Sequence, residues 1–347
     1  MTDHPAVALV GFGYAGRTFH APLIAACRSL RLHIVVSSKP EAVTASYPEA
    51  RVATVEEALA DPTIELVVIA TPNDSHFTLA RAALLAGKAV VVDKPFTLTV
   101  TEAEALTALA ARQGRLLSVF HNRRWDADFL AVKALIDAGR LGRVVRFESH
   151  FNRYRPRVRG RWRETAGLGA GIWYDLGPHL IDQALQLFGL PLGLTCDLAI
   201  HREHGEAHDY AHAILRYEGL RVLLHADMLS AASDLRLSVH GDRGSFLKEG
   251  LDVQEAQLVS GLEPGSPGWG EDPRPGTVTD GESGAREPFG GPPGNYLVYY
   301  ERIAAALRRE GLNPVPPEEA SAVMAIIEAG VRSSERRAEA PISWSGA

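Results

Sequence analysis

Apolar and polar positions alternate along the first 120 residues in a regular beat. Short β-branched runs, Val7–Val10, Leu32–Val36, Leu66–Ala70, Ala89–Val92 and Leu116–Phe120, read as strands. Between them "RTFHAPLIAACRSL", "TVEEALAD", "SHFTLARAALLAG" and "TVTEAEALTALAARQG" carry helical spacing. Thr54 with Glu57, and Thr99 with Glu102, have capping-box spacing, while Gly87 and Gly114 stand where helices stop. Strand–helix alternation of this kind predicts a parallel sheet covered on both faces, an α/β half. After Phe120 the beat changes. A helix over about Asp126–Ala138 leads to the alternating "RVVRFESHF", and a second helix over Ile172–Phe188 follows a glycine-rich turn. Then "LTCDLAI", "YAHAILRY", "RVLLHADML", "LRLSVHG" and "GSFLKEG" follow one another with short turns, which predicts an antiparallel sheet. Ser260–Gly294, rich in Gly and Pro, reads as a long loop with little regular structure. Two helices close the chain, the second with Pro317 near its first turn. The division expected is 1–120 and 121–347, with the C-terminal helices able to pack back on the first domain.

Composition narrows the class. The chain has 347 residues, enough for two cores, with 46% hydrophobic and 22% charged residues, an ordinary globular balance. A formal net charge of −6 argues against general polyanion binding, so no nucleic-acid partner is expected. The first residues show neither a basic region nor a long apolar run, and no later segment has spanning length. A cytoplasmic protein with no membrane partner is expected. Cys27 and Cys196 form no CxxC and read as buried small hydrophobes.

The chemistry gathers at strand ends. "VALVGFGYAGRTF" fits G-x-G-x-x-G through Gly11, Gly13 and Gly16, between a strand and a helix, the context that gives the pattern meaning. Phe12, Tyr14 and Ala15 complete a turn whose helix N-terminus would face a pyrophosphate. The next strand ends not in an acid but in Ser37, Ser38 and Lys39, hydroxyls and a cation that suit the 2′-phosphate of NADP better than NAD. Thr71, Pro72, Asn73 and His76 follow the strand Leu66–Ala70 at the edge where such sheets bind ligands, and are candidates to line the dinucleotide. "VVVDKP" ends a strand at the same edge, so Asp93 and Lys94 should border the nicotinamide, with Lys94 able to stabilise charge on a substrate oxygen. In "GIWYDLGPHLIDQ", helical spacing sets Asp175 and His179 on one face, a base and a neighbouring carboxylate, with Pro178 removing one helical hydrogen bond between them.

These residues together resemble the Gfo/Idh/MocA (glucose–fructose oxidoreductase/inositol dehydrogenase) family. "DKP" is similar to its E-K-P motif, with Asp93 in place of Glu. Asp175, Gly177, His179 and Asp182 resemble its D-x-G-x-H-x-x-D segment. "GRTFHAPL", "VFHNRRWDADF" and "RYRPRVRGRWRE" are similar to a closer subgroup, the NADP-dependent scyllo-inositol 2-dehydrogenases and their uncharacterised relatives. The resemblance implies a Rossmann domain followed by a domain with an open antiparallel sheet used for homo-oligomer contacts. It also implies Lys94, Asp175 and His179 as the catalytic set.

Two features pull elsewhere. Arginines at 153, 155, 157, 159, 161 and 163 read as a solvated loop, from which Arg155, Trp162 or Arg163 could reach the cleft. Asn122, Arg123 and Tyr154 are further candidate substrate contacts. His201, His204, His208 and His212 are spaced like helical metal ligands, but Gly205 interrupts them and Tyr210–Tyr217 alternates as a strand, so no metal is expected. The sequence thus reads as an NAD(P)-dependent dehydrogenase acting on CH–OH groups of a cyclic polyol, taking NADP with NAD also admissible. The alternatives are a keto-sugar or aldose reductase and, in another class, a cofactor-sensing regulator without turnover; the joint presence of Lys94, Asp175 and His179 counts against the last.

Overall fold

A computed structural model of the chain describes residues 4–232 and 235–342, so the outer ends of the expected domains, 1–3 and 343–347, lie outside the described residues. The chain divides into two compact units. One contains residues 1–122, 254–269 and 295–321, the other 123–253, 270–294 and 322–347.

The first unit is built on strands β1 (Ala6–Val10), β2 (Arg31–Val36), β3 (Arg51–Ala53), β4 (Ile64–Ile69), β5 (Ala89–Val92) and β6 (Leu117–Val119). Among the described residues they form one sheet in the order β3-β2-β1-β4-β5-β6, every pair parallel. Every residue of β1 and β5 is buried, as a sheet covered on both faces requires. The intervening helices are α1 (Ala21–Ala26), α2 (Pro40–Ser46), α3 (Val55–Ala60), α4 (His76–Leu85) and α5 (Val100–Gln113). Thr54 and Glu57 make the full capping box of α3. At α5 Thr99 accepts from the Glu102 N–H, but the Glu102 carboxylate turns to the Leu98 N–H. Gly114 ends α5 at φ 58°, and Gly87 follows α4 at φ 74°. Strand β3 has no apolar run to announce it: three residues at the sheet edge, none buried, paired to β2 alone. Two later helices join this unit, α8 (Gln254–Ser260) and α9 (Leu297–Leu307), the latter packed on α1.

The second unit holds α6 (Ala127–Asp137), β7 (Val144–Asn152), α7 (Gly171–Phe188), β8 (Gly193–Ala199), β9 (Tyr210–Tyr217), β10 (Leu220–Asp227), β11 (Leu235–Gly241), β12 (Gly244–Glu249), β13 (Gly276–Asp280), β14 (Arg286–Phe289) and β15 (Ala340–Pro341). Among the described residues these strands form a nine-stranded sheet, β14-β13-β12-β11-β7-β10-β9-β8-β15. The sheet is mostly antiparallel, as expected, with one parallel pair, β10 on β7, where the long connection carrying α7 brings the chain back in the same direction. One expectation is corrected: Ser260–Gly294 is not a featureless loop, since β13 and β14 form a hairpin on β12. Val278 is buried between half-buried Thr277 and Thr279, and Asp280 accepts from the Ser283 N–H and hydroxyl at the turn. So short an alternation is hidden by the surrounding Gly and Pro and is stabilised by a partner strand distant in sequence.

Helix α7 packs on β7, β9 and β10 and is buried along most of its length, with Pro178 inside it. Its Trp173 Nε1–H donates to the Ile327 carbonyl of α10 (Pro317–Arg336). Buried charges tie the layers. Arg124 grips Asp182 through two nitrogens, at 2.9 and 2.6 Å. Arg236, 1% exposed, donates to Asp128, Ser149 and Gln183. Such paired charges are costly to break, because a lone buried charge would remain.

Candidate active site

In the first unit every candidate lies at the carboxyl edge of the parallel sheet, after β1, β2, β4, β5 or β6. The three glycines divide the labour. Gly11 has φ +101°, and a Cβ there would come within 2.6 Å of the Ala70 carbonyl. At Gly16 a Cβ would stand 2.0 Å from the Gly11 carbonyl. At Gly13 it would meet nothing within 4 Å. Packing therefore explains the first and last, whereas the bare face of Gly13 is a cradle that suits close approach of a pyrophosphate. Phe12 packs edge-on against Tyr47, and the Tyr14 hydroxyl donates to Glu255 of α8 at 2.9 Å. Ala15 leads into the helical turns over 14–26 that contain α1.

Past β2, the Ser37 hydroxyl oxygen accepts from the Lys39 N–H at 3.0 Å, while Ser38 and Lys39 are exposed. After β4, Ser75 donates to the Pro72 carbonyl, so the 2.6 Å contact with Thr71 takes the Thr71 proton. Asn73 is buried. His76 sits differently from a lining residue. Its ring is 1% exposed, Nδ1 lies 2.8 Å from the Pro95 carbonyl and Nε2 3.0 Å from the Thr71 carbonyl. Burial lowers its pKa, against the opposing pull of Asp93. It braces the two loops that follow β4 and β5.

Asp93 is buried just after β5, with Lys94 half-buried beside it and a cis Lys94–Pro95 bond following. The Lys94 N–H donates to Asp93 Oδ1 at 2.8 Å. Burial pushes the Asp93 carboxyl up, but His20, Lys94 and His76 outweigh it and hold it at about 2. Asn122, after β6, is 4% exposed.

The second unit gathers another cluster. Asp175 and His179 lie one turn apart on α7. The His179 ring stacks at 6.5 Å on Phe151, and the guanidiniums of Arg123 and Arg153 lie 4.8 and 4.9 Å from the same ring. Asp175 is flanked by Arg153 at 3.8 Å and Arg163 at 3.5 Å, and Arg163 lies over the Trp162 ring at 4.4 Å. Glu164 pins this loop, accepting from the Arg159 N–H and from Arg202. Among the remaining candidates, Tyr154 is 60% exposed, the Arg155 backbone bonds to Met228 and Arg202, and Arg123, besides facing Phe151, is buried against Asp126 at 3.1 Å. Burial, with Asp252 and Asp128 adding to it, holds the Asp126 carboxyl well above the ordinary range despite Arg123. Phe151 and Arg153 as partners of His179 and Asp175 went unseen in the sequence; an aromatic at the end of an alternating strand was their one signal. Among the described residues no group of three or more His, Cys, Asp or Glu could hold a metal ion. No helix among them is long and apolar enough to cross a membrane.

A parallel sheet of order 3-2-1-4-5-6, a glycine turn with one bare face and a lysine at the edge of the fifth strand define a dinucleotide-dependent oxidoreductase. Comparison with known proteins gives the family. Residues 6–121 match the oxidoreductase family's NAD-binding Rossmann fold, and residues 133–342 its C-terminal alpha/beta domain. The chain belongs to the Gfo/Idh/MocA family of NAD(P)-dependent oxidoreductases. It is 52% identical to the uncharacterized oxidoreductase YdgJ of Escherichia coli K12, over 97% of this chain and 99% of that one. It is 40% identical to the scyllo-inositol 2-dehydrogenase (NADP(+)) IolW of Bacillus subtilis, over 95% and 94%. The solved structure of YPO2259 from Yersinia pestis superposes with a TM-score of 0.95 at 49% identity, covering 99% of both chains.

Proposed function

We propose that the enzyme moves hydride between NADP and a secondary alcohol or ketone of a cyclic polyol, scyllo-inositol and its inosose first among them. The first unit serves the dinucleotide and the second the substrate. The observation that carries this reading is Lys94, half-buried at the edge of β5 directly beside an ionised, buried Asp93. The likeness to IolW supports the polyol class. Gly11–Gly16 would hold the pyrophosphate, Ser37, Ser38 and Lys39 the 2′-phosphate, and Thr71, Pro72 and Asn73 the adjoining edge. The nicotinamide supplies a hydride acceptor or donor.

In the oxidation direction His179 takes the hydroxyl proton, Lys94 stabilises the oxygen as negative charge develops, and Asp175 orients His179 or a neighbouring hydroxyl. Phe151 fixes the imidazole plane by stacking. The arginines beside Asp175 keep it aimed, and Trp162 and Arg163 border the substrate. The enzyme works in the cytoplasm as a homo-oligomer joined through the nine-stranded sheet.

The direct test is NADPH oxidation against a panel of inososes, keto-sugars and aldoses, with NADP reduction by inositols. Turnover of an inositol–inosose pair is the expected result; reduction of keto-sugars alone would replace the polyol by that class. Cofactor choice has its own test. With a hydroxyl and a cation where NAD enzymes carry an acid, kcat/KM should favour NADP, and Ser37→Asp should narrow or reverse the preference by setting a negative charge beside the 2′-phosphate. Equal use of both dinucleotides by the unmutated enzyme would remove the assignment.

A further inference from the structure

Beneath Lys94 runs a buried polar chain that the chemistry above leaves unused. It begins at His20, in the π-helical turn Gly16–His20 that follows the glycine-rich loop. Such turns are rare and concentrate at functional sites. His20 is 0% exposed, its ring centroid 4.3 Å from that of Phe120. Nδ1 lies 2.5 Å from the Tyr300 hydroxyl of α9, and Nε2 3.8 Å from Asp93 Oδ1, the oxygen that also accepts from the Lys94 N–H.

The proton order follows from these neighbours. Burial holds the Tyr300 phenol far above its ordinary range, so it remains an intact O–H. A ring proton on Nδ1 alone would leave Nε2 turning a lone pair toward a carboxylate. With Tyr300 donating to Nδ1, Nε2–H faces Asp93 instead. Polarity then runs one way, from Tyr300 through His20 to Asp93, which the Lys94 N–H meets from the other side. At 3.8 Å the His20–Asp93 contact is electrostatic rather than a hydrogen bond, a length seen at sites that tighten only when occupied.

The geometry points to His20 as a positioning residue for Lys94: through Asp93 it fixes the turn that presents the lysine, and it ties that turn to the helix of the dinucleotide loop. The assignment rests on the role given to Lys94 above. It concerns a residue that touches neither substrate nor dinucleotide in that reading.

The test compares His20→Leu, His20→Gln and Tyr300→Phe by two readouts. The first is hydrogen exchange of the peptide over residues 91–98 against that over 9–15, in full-length protein without substrate. The second is kcat beside the KM for NADPH. In His20→Leu, exchange over 91–98 should quicken roughly 10-fold with 9–15 unchanged. Its kcat should fall ~10–10²-fold at a near-constant KM, the cost of a misaimed group. His20→Gln, which keeps an N–H toward Asp93, should recover most of both. Tyr300→Phe should show a smaller loss of the same kind, and with His20→Gln it carries the test if the leucine variant does not fold. Unchanged exchange over 91–98 would overturn the proposal. So would equal quickening of both peptides without rescue by glutamine, the behaviour of a simple core plug. Faster exchange with unaltered kcat, in an enzyme that Lys94→Ala inactivates, would overturn it as well. Expected exchange in a protein with no turnover of any polyol or sugar would instead remove the role of Lys94 and leave the His20 link standing.

Discussion

Replacing Lys94 by alanine is expected to cut kcat by ~10²–10³, about 3–4 kcal/mol of lost transition-state stabilisation, with NADPH binding nearly intact. The size follows from what the side chain is asked to do. Three buried valines carry β5 to the sheet edge and Asp93 accepts from the Lys94 N–H at the half-buried turn; in the proposed role the ammonium meets the charge that appears on the substrate oxygen. An ammonium fixed by the fold before reaction needs no reorganisation when that charge develops. In the proposed reading most dinucleotide contacts come from the other strand ends, so its Kd, read by NADPH fluorescence, should move little. An unchanged kcat would show that β5 ends in a lysine for structural reasons and that the active site is misplaced.

Loss of His179 should be comparably severe. A general base contributes roughly 10²–10⁴-fold, and because it must be unprotonated to act, its removal should flatten the acidic limb of the pH–rate profile. His179→Asn is the suitable variant, since α7 is buried around it and a larger change would disturb the Phe151 stack. If Lys94 and His179 act on one oxygen and its proton, as proposed, the double variant should lose less than the product of the single losses. Full additivity would show that the two residues serve separate steps. A retained acidic limb in His179→Asn would place the base elsewhere.

Much of this site is legible in short stretches of sequence because its parts are local. The glycine turn, the strand running into Asp93-Lys94-Pro95 and the four-residue spacing of Asp175 and His179 each lie within one strand end or one helical turn, and periodicity reports such features directly. The caps at Thr54 and Thr99 are equally local. Strand β3 escapes because an edge strand of three residues buries too little to leave a pattern, and the β13–β14 hairpin because its stability comes from β12 rather than from its own residues. His76 shows the limit within a single motif. Its place after β4 suggests a lining residue, whereas the fold turns its ring to two backbone carbonyls.

By itself, the sequence determined the two-part organisation, the parallel sheet with its dinucleotide turn, and the residue types on which the proposed chemistry rests. Those follow from periodicities of two and 3.6 and from turn residues, which act over a few positions. Only the tertiary structure decided who meets whom: His20 with Tyr300 across 280 residues, Asp175 with Arg153 and Arg163, Arg123 with Asp126, and the entry of β10 parallel to β7. The reason is physical. Ion pairing, tautomer and carboxyl protonation depend on distances of a few ångströms and on exclusion of water, and both are set when elements far apart in the chain pack together.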